Sequence, residues 1–168
     1  HDGNPDATLK DLLQRGVRLM EAGADIIDIG GESTRPGAIP IDKVEEARRV
    51  LPAIAGLADA GALISIDSRR AEVVRQGVAA GATIINDIHA LTGGDCLEVA
   101  VKSGADVVLM HGPIDPHIMA DHTDYEDVLL DTYDWLEARV HVCIDSGISR
   151  HRLIVDPGIG FAKTASQS

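Results

Sequence analysis

The sequence predicts an α/β protein, a TIM-type β/α barrel present as a partial barrel of about strands 2 to 6 of 8. Three observations support this prediction: apolar runs alternate with amphipathic segments, a Gly-Ala pair precedes most of these runs, and polar side chains end them. Continuous apolar strands indicate a parallel sheet covered on both faces, because a strand with one solvated face would alternate instead. Polar groups at the ends of several strands favour a barrel, since a doubly wound sheet concentrates its ligand groups at one switch point.

Composition limits the classes of protein to which the chain can belong. With 168 residues, 45% of them hydrophobic, it is long enough for one globular domain, which we place at residues 1–168. The formal net charge of −12 argues against a nucleic-acid or anionic membrane partner, since such surfaces need clustered Lys and Arg. We find no membrane-spanning run and no secretory leader. The isolated Cys96 and Cys143 suit packing in a reducing compartment, so we expect a cytoplasmic protein.

The elements are predicted in chain order from a weak internal repeat. Each unit is an amphipathic helix, a glycine that ends it and an apolar strand, because glycine accepts the left-handed conformation that commonly ends a helix. The four glycines are Gly23, Gly61, Gly81 and Gly104, and the strands after them start near Ile26, Leu63, Thr83 and Val107. A fifth strand starts at Leu153, after a longer helix.

The first two helix starts follow from capping residues. Asn4 is expected to cap the first helix, with Pro5 at its first helical position. Asp42 and Glu45 resemble a capping box for the second helix. Pro52 is expected to kink that helix or restart it, because proline removes a backbone donor.

The later helices are predicted in the same way. Ser68 is expected to cap the third helix, and a shorter fourth helix is expected from about Asp95 to Ser103. Thr123 and Glu126 are expected to open the longest helix. Its inward face is predicted to carry Leu129, Leu130, Tyr133, Leu136, Val140 and Cys143.

The number of units is smaller than a closed barrel requires. A closed barrel has eight βα units and typically about 250 residues, whereas the pattern here contains fewer strands. We therefore expect an open arc of strands with two unpaired edges. Because the chain begins at His1 rather than Met, we also expect an N-terminal segment to be missing.

Three polar residues near strand ends are candidates for binding a ligand. Asp67, Asn86 and Asp156 each interrupt an apolar strand and must find a partner if buried. Two carboxylates and an amide at one end of a barrel would form a receptor for a flat heterocycle with N–H donors. Helix capping and structural hydrogen bonding are the alternative roles.

Two glycine-containing segments are further candidates. In the loop Glu32-Ser-Thr-Arg-Pro-Gly37, Thr34 can donate to an anionic oxygen and Arg35 offers a planar fork suited to phosphate or carboxylate. A solvated turn is the alternative for this loop. The turn after Asp156 can bring backbone N–H groups and Phe161 to a ligand, or is a sharp turn only.

A histidine-rich stretch covers residues 111–122. The side chains in it that are able to bind a metal are His111, Asp115, His117, Asp121 and His122. Their spacing fits no helical face, and prolines at 113 and 116 indicate a loop, so a solvent-exposed loop is favoured over a metal cluster.

Five segments resemble, in order and spacing, the signatures of the dihydropteroate synthase family. They are Asp28–Gly37, Ile66–Ser68, Ile84–Ile88, Leu109–His111 and Leu153–Phe161. The resemblance covers essentially the whole chain and implies a β/α barrel. It also implies that strand one would precede His1 and that strands seven and eight would follow Ser168. It also implies a role in folate biosynthesis, where the family joins 4-aminobenzoate to 6-hydroxymethyl-7,8-dihydropterin diphosphate and releases pyrophosphate with the assistance of Mg²⁺.

The resemblance implies roles for the pterin side of the site. Asp67, Asn86 and Asp156 match pterin-binding positions, with Asp156 facing the amino and ring N–H edge of the pterin. Ile88 and Met110 match walls of the same pocket. Asp67 is expected to be catalytic, as a fixed negative charge that stabilises a cation at the pterin methylene.

The resemblance also implies roles for the aminobenzoate side. Thr34 and Arg35 match a mobile loop that closes over the aminobenzoate and pyrophosphate, and Arg35 is expected to be catalytic. Phe161 lies where the aminobenzoate ring is held. The metal is expected to be held by an Asn before His1, so no metal ligand is assigned within the chain. The implied partners are the two small-molecule substrates, with a homodimer when the protein is full length.

Two differences from the family pattern limit the residue roles that the resemblance implies. The loop after His111 differs, so no residue roles are carried over into this loop beyond Met110. Ser68, Arg69 and Arg70 replace the more usual pattern conservatively. Alternatives are a pterin-binding methyltransferase of similar barrel fold and a non-catalytic pterin-binding fragment. We expect residues 1–168 alone to be weakly active or inactive.

Overall fold

Helices and strands alternate along the chain, as predicted. The computed structural model describes residues 8–33, 39–112 and 123–168. The helices are α1 (Leu9–Glu21), α2 (Lys43–Asp59), α3 (Ala71–Ala79), α4 (Cys96–Ser103) and α5 (Val128–Asp145). The strands are β1 (Ile27–Gly30), β2 (Ile64–Asp67), β3 (Ile84–Asp87), β4 (Asp106–Met110) and β5 (Leu153–Asp156), the last preceded by a short 3₁₀ helix (Arg150–Arg152).

The described strands form one parallel sheet in chain order, β1-β2-β3-β4-β5. Each strand is joined to the next by a helix, and the order never reverses, which is the arrangement of a β/α barrel rather than of a doubly wound sheet. Within the described residues the sheet is open, with β1 and β5 at its edges. The prediction of an α/β partial barrel is therefore confirmed.

The hydrophobic core lies between the sheet and the helices. Ile66, Ile85 and Leu109 on the strands are each 0% exposed, and they belong to one cluster with Ile54 of α2 and Val74 of α3. Full burial of each such side chain stabilises the fold by roughly 1.5–3 kcal/mol. Because successive strand residues point to opposite faces, this core leaves the alternate residues for the inner face of the arc.

The predicted glycine positions end the helices as expected. Gly23, Gly61, Gly81 and Gly104 have positive φ angles of 96°, 89°, 118° and 73°. Asp42 caps α2 as predicted, since its carboxylate accepts hydrogen bonds from the amides at positions 44 and 45, at 2.8 and 2.9 Å. Helix α2 continues through Pro52 as one element, so the expected restart is wrong.

Helix α1 begins later than predicted. Thr8 has an extended backbone and forms a capping box with Asp11, in which the Thr8 hydroxyl accepts from the Asp11 amide at 3.3 Å and the Thr8 amide donates to the Asp11 carboxylate at 2.9 Å. The start at Pro5 is therefore wrong, because two reciprocal hydrogen bonds favour Thr8. Asn4 and Pro5 lie outside the described residues.

Two later starts also differ from the prediction. Arg70 is the N-cap of α3, and the Ser68 hydroxyl accepts from the Arg70 amide at 3.2 Å rather than capping the helix. Helix α5 is capped by Asp127, whose carboxylate accepts from the amides at positions 129 and 130, instead of by Thr123. In both cases a residue closer to the first helical turn takes the cap position.

The predicted inward face of α5 is right only in part. Leu136 and Cys143 are buried, and both Cys96 and Cys143 are buried free thiols, which confirms their packing role. Leu129, Leu130 and Tyr133 are instead 74%, 56% and 59% exposed. The buried face of α5 carries Thr132, Leu136 and Cys143, so the predicted inward face was misplaced around the helix. Within the described residues, no helix is both long and apolar enough to cross a membrane.

Candidate active site

The strand register arranges the candidate residues in two layers on the inner face of the arc. In the lower layer, Asp67 of β2 pairs with Gly30 on one side and with Asn86 on the other. In the upper layer, Met110 of β4 pairs with Asp156 of β5. Asn86 pairs with position 108, so the upper layer lies two residues, about 6.6 Å, nearer the carboxyl ends of the strands. The sheet thus brings together four predicted site residues at one end.

Among the described residues, Asp67 is a carboxyl whose pKa is strongly raised by its surroundings. Burial raises its pKa to about 7, and the neighbouring carboxylates of Asp28, Asp87 and Glu46 add to the shift. The space for its side chain is provided by Gly30, because a Cβ at that position would lie 2.9 Å from the Asp67 Oδ2 atom. A carboxyl that gains or loses its proton near neutral pH, held beside a glycine, is suited to respond to a ligand that donates hydrogen bonds.

Asn86 connects this layer to β1. Its side-chain amide donates to the Asp28 carboxylate at 3.4 Å, across the intervening strand β2. Asp28, Asp67 and Asn86 therefore share one face of three neighbouring strands. Asp28 was not predicted as a site residue, although its position between two isoleucines of an apolar strand is the same signal that pointed to Asp67.

Asp156 is fixed by the turn that follows it. Its carboxylate accepts from the Gly158 amide at 2.7 Å, and its backbone carbonyl accepts from the His111 amide at 2.8 Å. A Cβ at Gly158 would lie 1.9 Å from the His111 carbonyl oxygen, so the two strand ends approach as closely as glycine allows. This approach holds the upper layer together.

The apolar members of the candidate site are buried. Ile88 is 8% exposed and Met110 is 5% exposed. Ile88 follows β3 in a turn that Asp87, itself 0% exposed, holds by accepting from the amides of His89 and Leu91 at 2.8 and 3.1 Å. Burial raises the pKa of Asp87, although these two amides, the His89 ring and Arg139 act in the opposite direction.

Arg139 of α5 stabilises the turn after β3 by hydrogen bonds from outside the sheet. Ala90 and Leu91 have positive φ angles of 47° and 61°, which non-glycine residues adopt at a cost. The Arg139 guanidinium donates to both of their carbonyls, at 2.8 Å for Leu91. Sequence reasoning missed Arg139, because it lies 48 residues beyond Leu91 in the chain.

A partly buried ion-pair network lies at the start of α3. The Glu32 carboxylate accepts from Arg69 at 2.8 Å, from Arg70 at 2.7 Å and from the Ile41 amide at 3.0 Å. Arg70 also pairs with Glu46, which is 1% exposed. Burial opposes ionisation of Glu32, but the hydrogen bonds from Arg70, the Ile41 amide and Arg69 hold its pKa below the usual range.

This network links the two ends of the segment that contains Thr34 and Arg35. Glu32 precedes the segment and Ile41 follows it, and Arg70 donates to the Ile41 carbonyl at 2.6 Å. Thr34 and Arg35 themselves lie outside the described residues. Sequence reasoning missed the network, since nothing in the spacing of Glu32, Glu46 and Arg70 shows that they meet.

Phe161 lies in the turn after β5. It is half-buried, and its amide donates to the Gly158 carbonyl at 3.0 Å. The nearby His111 contacts two aromatic rings, those of Tyr125 and Trp135. The other members of the histidine-rich stretch, Asp115, His117, Asp121 and His122, lie outside the described residues.

A resident metal ion would need several oxygen or nitrogen ligands at one point. In residues 8–33, 39–112 and 123–168, no three His, Cys, Asp or Glu side chains are placed to hold one. The described residues therefore do not by themselves fit Mg²⁺, and no step below is derived through a metal.

The barrel order and the polar inner face together define a β/α-barrel protein with a candidate binding site at the carboxyl ends of its strands. The sequence model of the pterin binding enzyme family matches residues 2–168. The chain belongs to this family.

Individual relatives share most of the chain. A probable bifunctional folylpolyglutamate synthase/dihydropteroate synthase of Haloferax volcanii is 42% identical over 100% of this chain and 20% of its own length. The crystal structure of the Yersinia pestis dihydropteroate synthase with a sulfonamide drug complex is 38% identical, with a TM-score of 0.94, over 99% of this chain and 61% of that chain.

A second solved structure bears on the ligand. The Xanthomonas albilineans dihydropteroate synthase with 4-aminobenzoic acid is 40% identical, with a TM-score of 0.88, over 99% of this chain and 59% of that chain. The chain thus spans about three fifths of the enzymes in these two structures, at 61% and 59%, and a fifth of the Haloferax volcanii protein, at 20%.

Proposed function

We propose that the protein acts as a dihydropteroate synthase. The reaction joins 4-aminobenzoate to 6-hydroxymethyl-7,8-dihydropterin diphosphate and gives 7,8-dihydropteroate and pyrophosphate. The observation that carries the proposal is Asp67, a buried carboxyl whose pKa is raised to about 7 and which lies in register with Asn86 on the inner face of the arc. The names of the relatives and the 4-aminobenzoic acid in the Xanthomonas albilineans structure support the same substrates.

The pterin is proposed to enter with its ring edge toward the polar layers. A pterin is flat and carries N–H donors on one edge, which the carboxylates of Asp67 and Asp156 can accept. The Asn86 amide can both donate and accept at the same edge. Ile88 and Met110, both nearly buried, would supply apolar contacts to the ring. Binding of N–H donors favours the charged form of Asp67, because a hydrogen bond to a carboxylate lowers its pKa.

The chemistry proposed is substitution at the pterin methylene. The C–O bond to the diphosphate breaks ahead of formation of the C–N bond to the aminobenzoate amine, and the amine then loses one proton. The positive charge that develops on the pterin methylene would be stabilised by the electron-rich ring and by the Asp67 carboxylate. No covalent protein nucleophile is needed. Thr34 and Arg35 are proposed to bind the aminobenzoate and the leaving pyrophosphate, with Arg35 offsetting negative charge.

Three further properties belong to this proposal. Mg²⁺ is proposed as a cofactor held by groups outside the described residues, and chelation should then slow turnover. A homodimer is proposed for the full-length protein, and light scattering measures its mass. A cytoplasmic location is proposed because the pathway that the relatives' names imply uses soluble small molecules.

The proposal is tested by binding and turnover. Calorimetry should detect the pterin diphosphate binding to the chain, and a coupled assay should detect pyrophosphate release once 4-aminobenzoate is added. Since residues 1–168 alone are expected to be weakly active or inactive, turnover is also measured in a chimaera. In it, this chain replaces the matching segment of the Yersinia pestis enzyme, with which it shares a TM-score of 0.94.

Each result assigns one of the candidate functions. Pterin binding with pyrophosphate release supports the synthase. Pterin binding without release in the chimaera would leave a non-catalytic pterin-binding protein. Binding of a methylated folate, with no response to the diphosphate, would favour a methyltransferase of similar fold.

A further inference from the structure

Lys163 lies two residues beyond Phe161, and its ammonium group points back into the turn. The Nζ atom is 2.9 Å from His111 Nδ1 and 3.3 Å from each of the carbonyl oxygens of Gly158 and Phe161. An ammonium has three N–H donors and no acceptor, so these three neighbours match its donors one for one. Lys163 therefore connects the end of β4 with the two ends of the turn after β5.

The contact with Lys163 determines the tautomer of His111. Because the ammonium can only donate, the Nδ1 atom of His111 must accept, and the ring proton is on Nε2. Burial lowers the pKa of His111, and the charge of Lys163 lowers it further, while a hydrogen bond with the His111 backbone and the charge of Asp131 act in the opposite direction. Both observations indicate a neutral imidazole at physiological pH.

Aromatic side chains enclose the pair. The His111 ring packs edge-on against Trp135 of α5, with centroids 5.2 Å apart, and lies 6.0 Å from the ring of Tyr125. The Lys163 ammonium is 5.8 Å from the centroid of Tyr125, whose hydroxyl donates to the Ala162 carbonyl at 3.0 Å. The turn is thus held at positions 158, 161 and 162 by groups from outside it.

The charged groups around the pair are few within the described residues. Burial lowers the pKa of Lys163, whereas the Asp156 carboxylate acts to raise it. Asp131 of α5 is the carboxylate that acts on both His111 and Tyr125. Protonation of His111 would remove the acceptor of Lys163 and place two cations 2.9 Å apart, so the arrangement requires the neutral ring.

We propose that Lys163 is a positioning residue for the subsite lined by Phe161. Its ammonium holds the carbonyls of Gly158 and Phe161 against His111, which sets where the Phe161 ring stands relative to Met110 and Asp156. The inference rests on the proposed function for its ligand, 4-aminobenzoate. It distinguishes Lys163 from a residue that binds an anionic substrate directly, because its three donors already have acceptors.

The kinetic test uses the variant Lys163→Met in whichever of the protein or the chimaera turns over faster. We expect the KM for 4-aminobenzoate to rise about tenfold, which corresponds to the loss of a charge-assisted hydrogen bond. The affinity for the pterin diphosphate should fall less, by no more than about threefold, because Asp67 and Asn86 lie in the other layer and Asp156 is the one polar partner of the pterin beside this turn. Lys102→Met is the matched control, since Lys102 lies on the exposed face of α4 paired with Glu98, and it should change neither constant.

The second test measures the titration of His111 beside Lys163 in the absence of substrate. Trp135 is the single tryptophan of the sequence, so its emission reports on the neighbouring imidazole. In the wild-type chain, emission should titrate with a midpoint below 6.5, the ordinary pKa of an imidazole. In Lys163→Met the midpoint should move up toward 6.5, because the neighbouring positive charge is gone. In His111→Phe the titration should disappear, which verifies its assignment.

A pair of variants keeps the proposal testable if Lys163→Met folds poorly. His111→Gln retains an acceptor oxygen and should leave the KM for 4-aminobenzoate near the wild-type value, whereas His111→Phe removes the acceptor and should raise it. An unchanged KM in an active Lys163→Met enzyme, an unmoved fluorescence midpoint, or an equal loss of pterin affinity would each overturn the inference. Absence of both binding and turnover in the wild type would instead overturn the proposed function.

Discussion

On the β1–β2 side of the described site, charged side chains hold the structure, whereas on the β4–β5 side backbone groups do. Glu32, Glu46 and Arg70 form a partly buried network next to Asp67, in which Glu46 is buried. Across the sheet, Gly158 packs directly on the His111 carbonyl, and Lys163 donates to carbonyls of the same turn. The two sides are therefore sensitive to different substitutions. Removing Arg70 would leave the Glu46 carboxylate without its cation, whereas adding a Cβ at Gly158 would cause a clash.

The two sides also differ in their proposed roles, since the Asp67 side would take part in the reaction and the Lys163 side would position the substrate. The Asp67 side carries a carboxyl with a strongly raised pKa, which suits a group that faces a developing positive charge. The Lys163 side carries cationic and aromatic groups that face protein rather than solvent. We expect substitutions on the first side to alter turnover, and substitutions on the second side to alter substrate affinity or stability.

The largest effect is expected for turnover in Asp67→Asn. The substitution keeps the shape of the side chain and removes the negative charge, so kcat should fall by about 100- to 1,000-fold, the usual loss for one electrostatic group in a transition state. Pyrophosphate release in the chimaera measures it. Asp59→Asn, at the exposed end of α2, is the control and should retain wild-type turnover. Near-normal kcat in Asp67→Asn would remove this residue from the mechanism.

A loss of stability is expected for Arg70→Met. This change removes the cation from Glu46, which is 1% exposed, and an unpaired buried charge costs about 3 kcal/mol or more. Urea denaturation measures the free energy of unfolding. Arg48→Met is the matched control, because Arg48 pairs with Glu45 on the surface of α2 with its side chain 71% exposed, and it should cost less than about 0.5 kcal/mol. Equal losses in the two variants would contradict the contrast.

The backbone side is tested with Gly158→Ala. Its Cβ would lie 1.9 Å from the His111 carbonyl oxygen at a φ of +67°, so we expect a loss of about 3 kcal/mol from the clash and the strain together. Gly160→Ala provides the control, because it has a φ of +79° but no atom within 4 Å of the added carbon. It should cost only about 1 kcal/mol. If both variants lose the same free energy in urea, the close approach is not what holds this turn.

The smallest effect is the pH dependence of stability at Asp67. Its pKa is about 7 in the folded chain and near 3.9 when unfolded, so the folded state binds the extra proton between these values. Stability is therefore lost as pH rises from about 4 to 7. Asn carries no such proton, and Asp67→Asn should be more stable than wild type by about 2 kcal/mol at pH 8. This is half of the roughly 4 kcal/mol that the full shift would give, since the residue is partly exposed. The difference should vanish below pH 4, as thermal melts across this range can show.

The strand residues of the site were predictable from sequence, and their supports were not. Asp67, Asn86 and Asp156 stand out because polar residues interrupt apolar strands, and parallel strands bring their carboxyl ends to one edge. The resemblance to a known family added Ile88 and Met110, which no pattern of charge or spacing would single out.

The supports depend on contacts between residues far apart in sequence. Arg139 reaches Ala90 and Leu91 only because α5 packs over the sheet, and Lys163 reaches His111 only because β5 pairs with β4. The pattern of neighbouring residues in the sequence does not predict such long-range contacts. The same limit explains the misplaced inward face of α5, since which side chains of the helix are buried depends on how the helix packs on the rest of the fold.

The measurement that tests the central claim most directly is calorimetric titration of the chain with 6-hydroxymethyl-7,8-dihydropterin diphosphate at pH 8. We predict saturable binding at one site per chain, at least tenfold weaker in Asp156→Asn, which loses one carboxylate acceptor of the pterin N–H edge. No heat of binding to a folded wild-type chain, or equal affinity in the wild type and Asp156→Asn, would contradict a pterin site at the carboxyl ends of these strands.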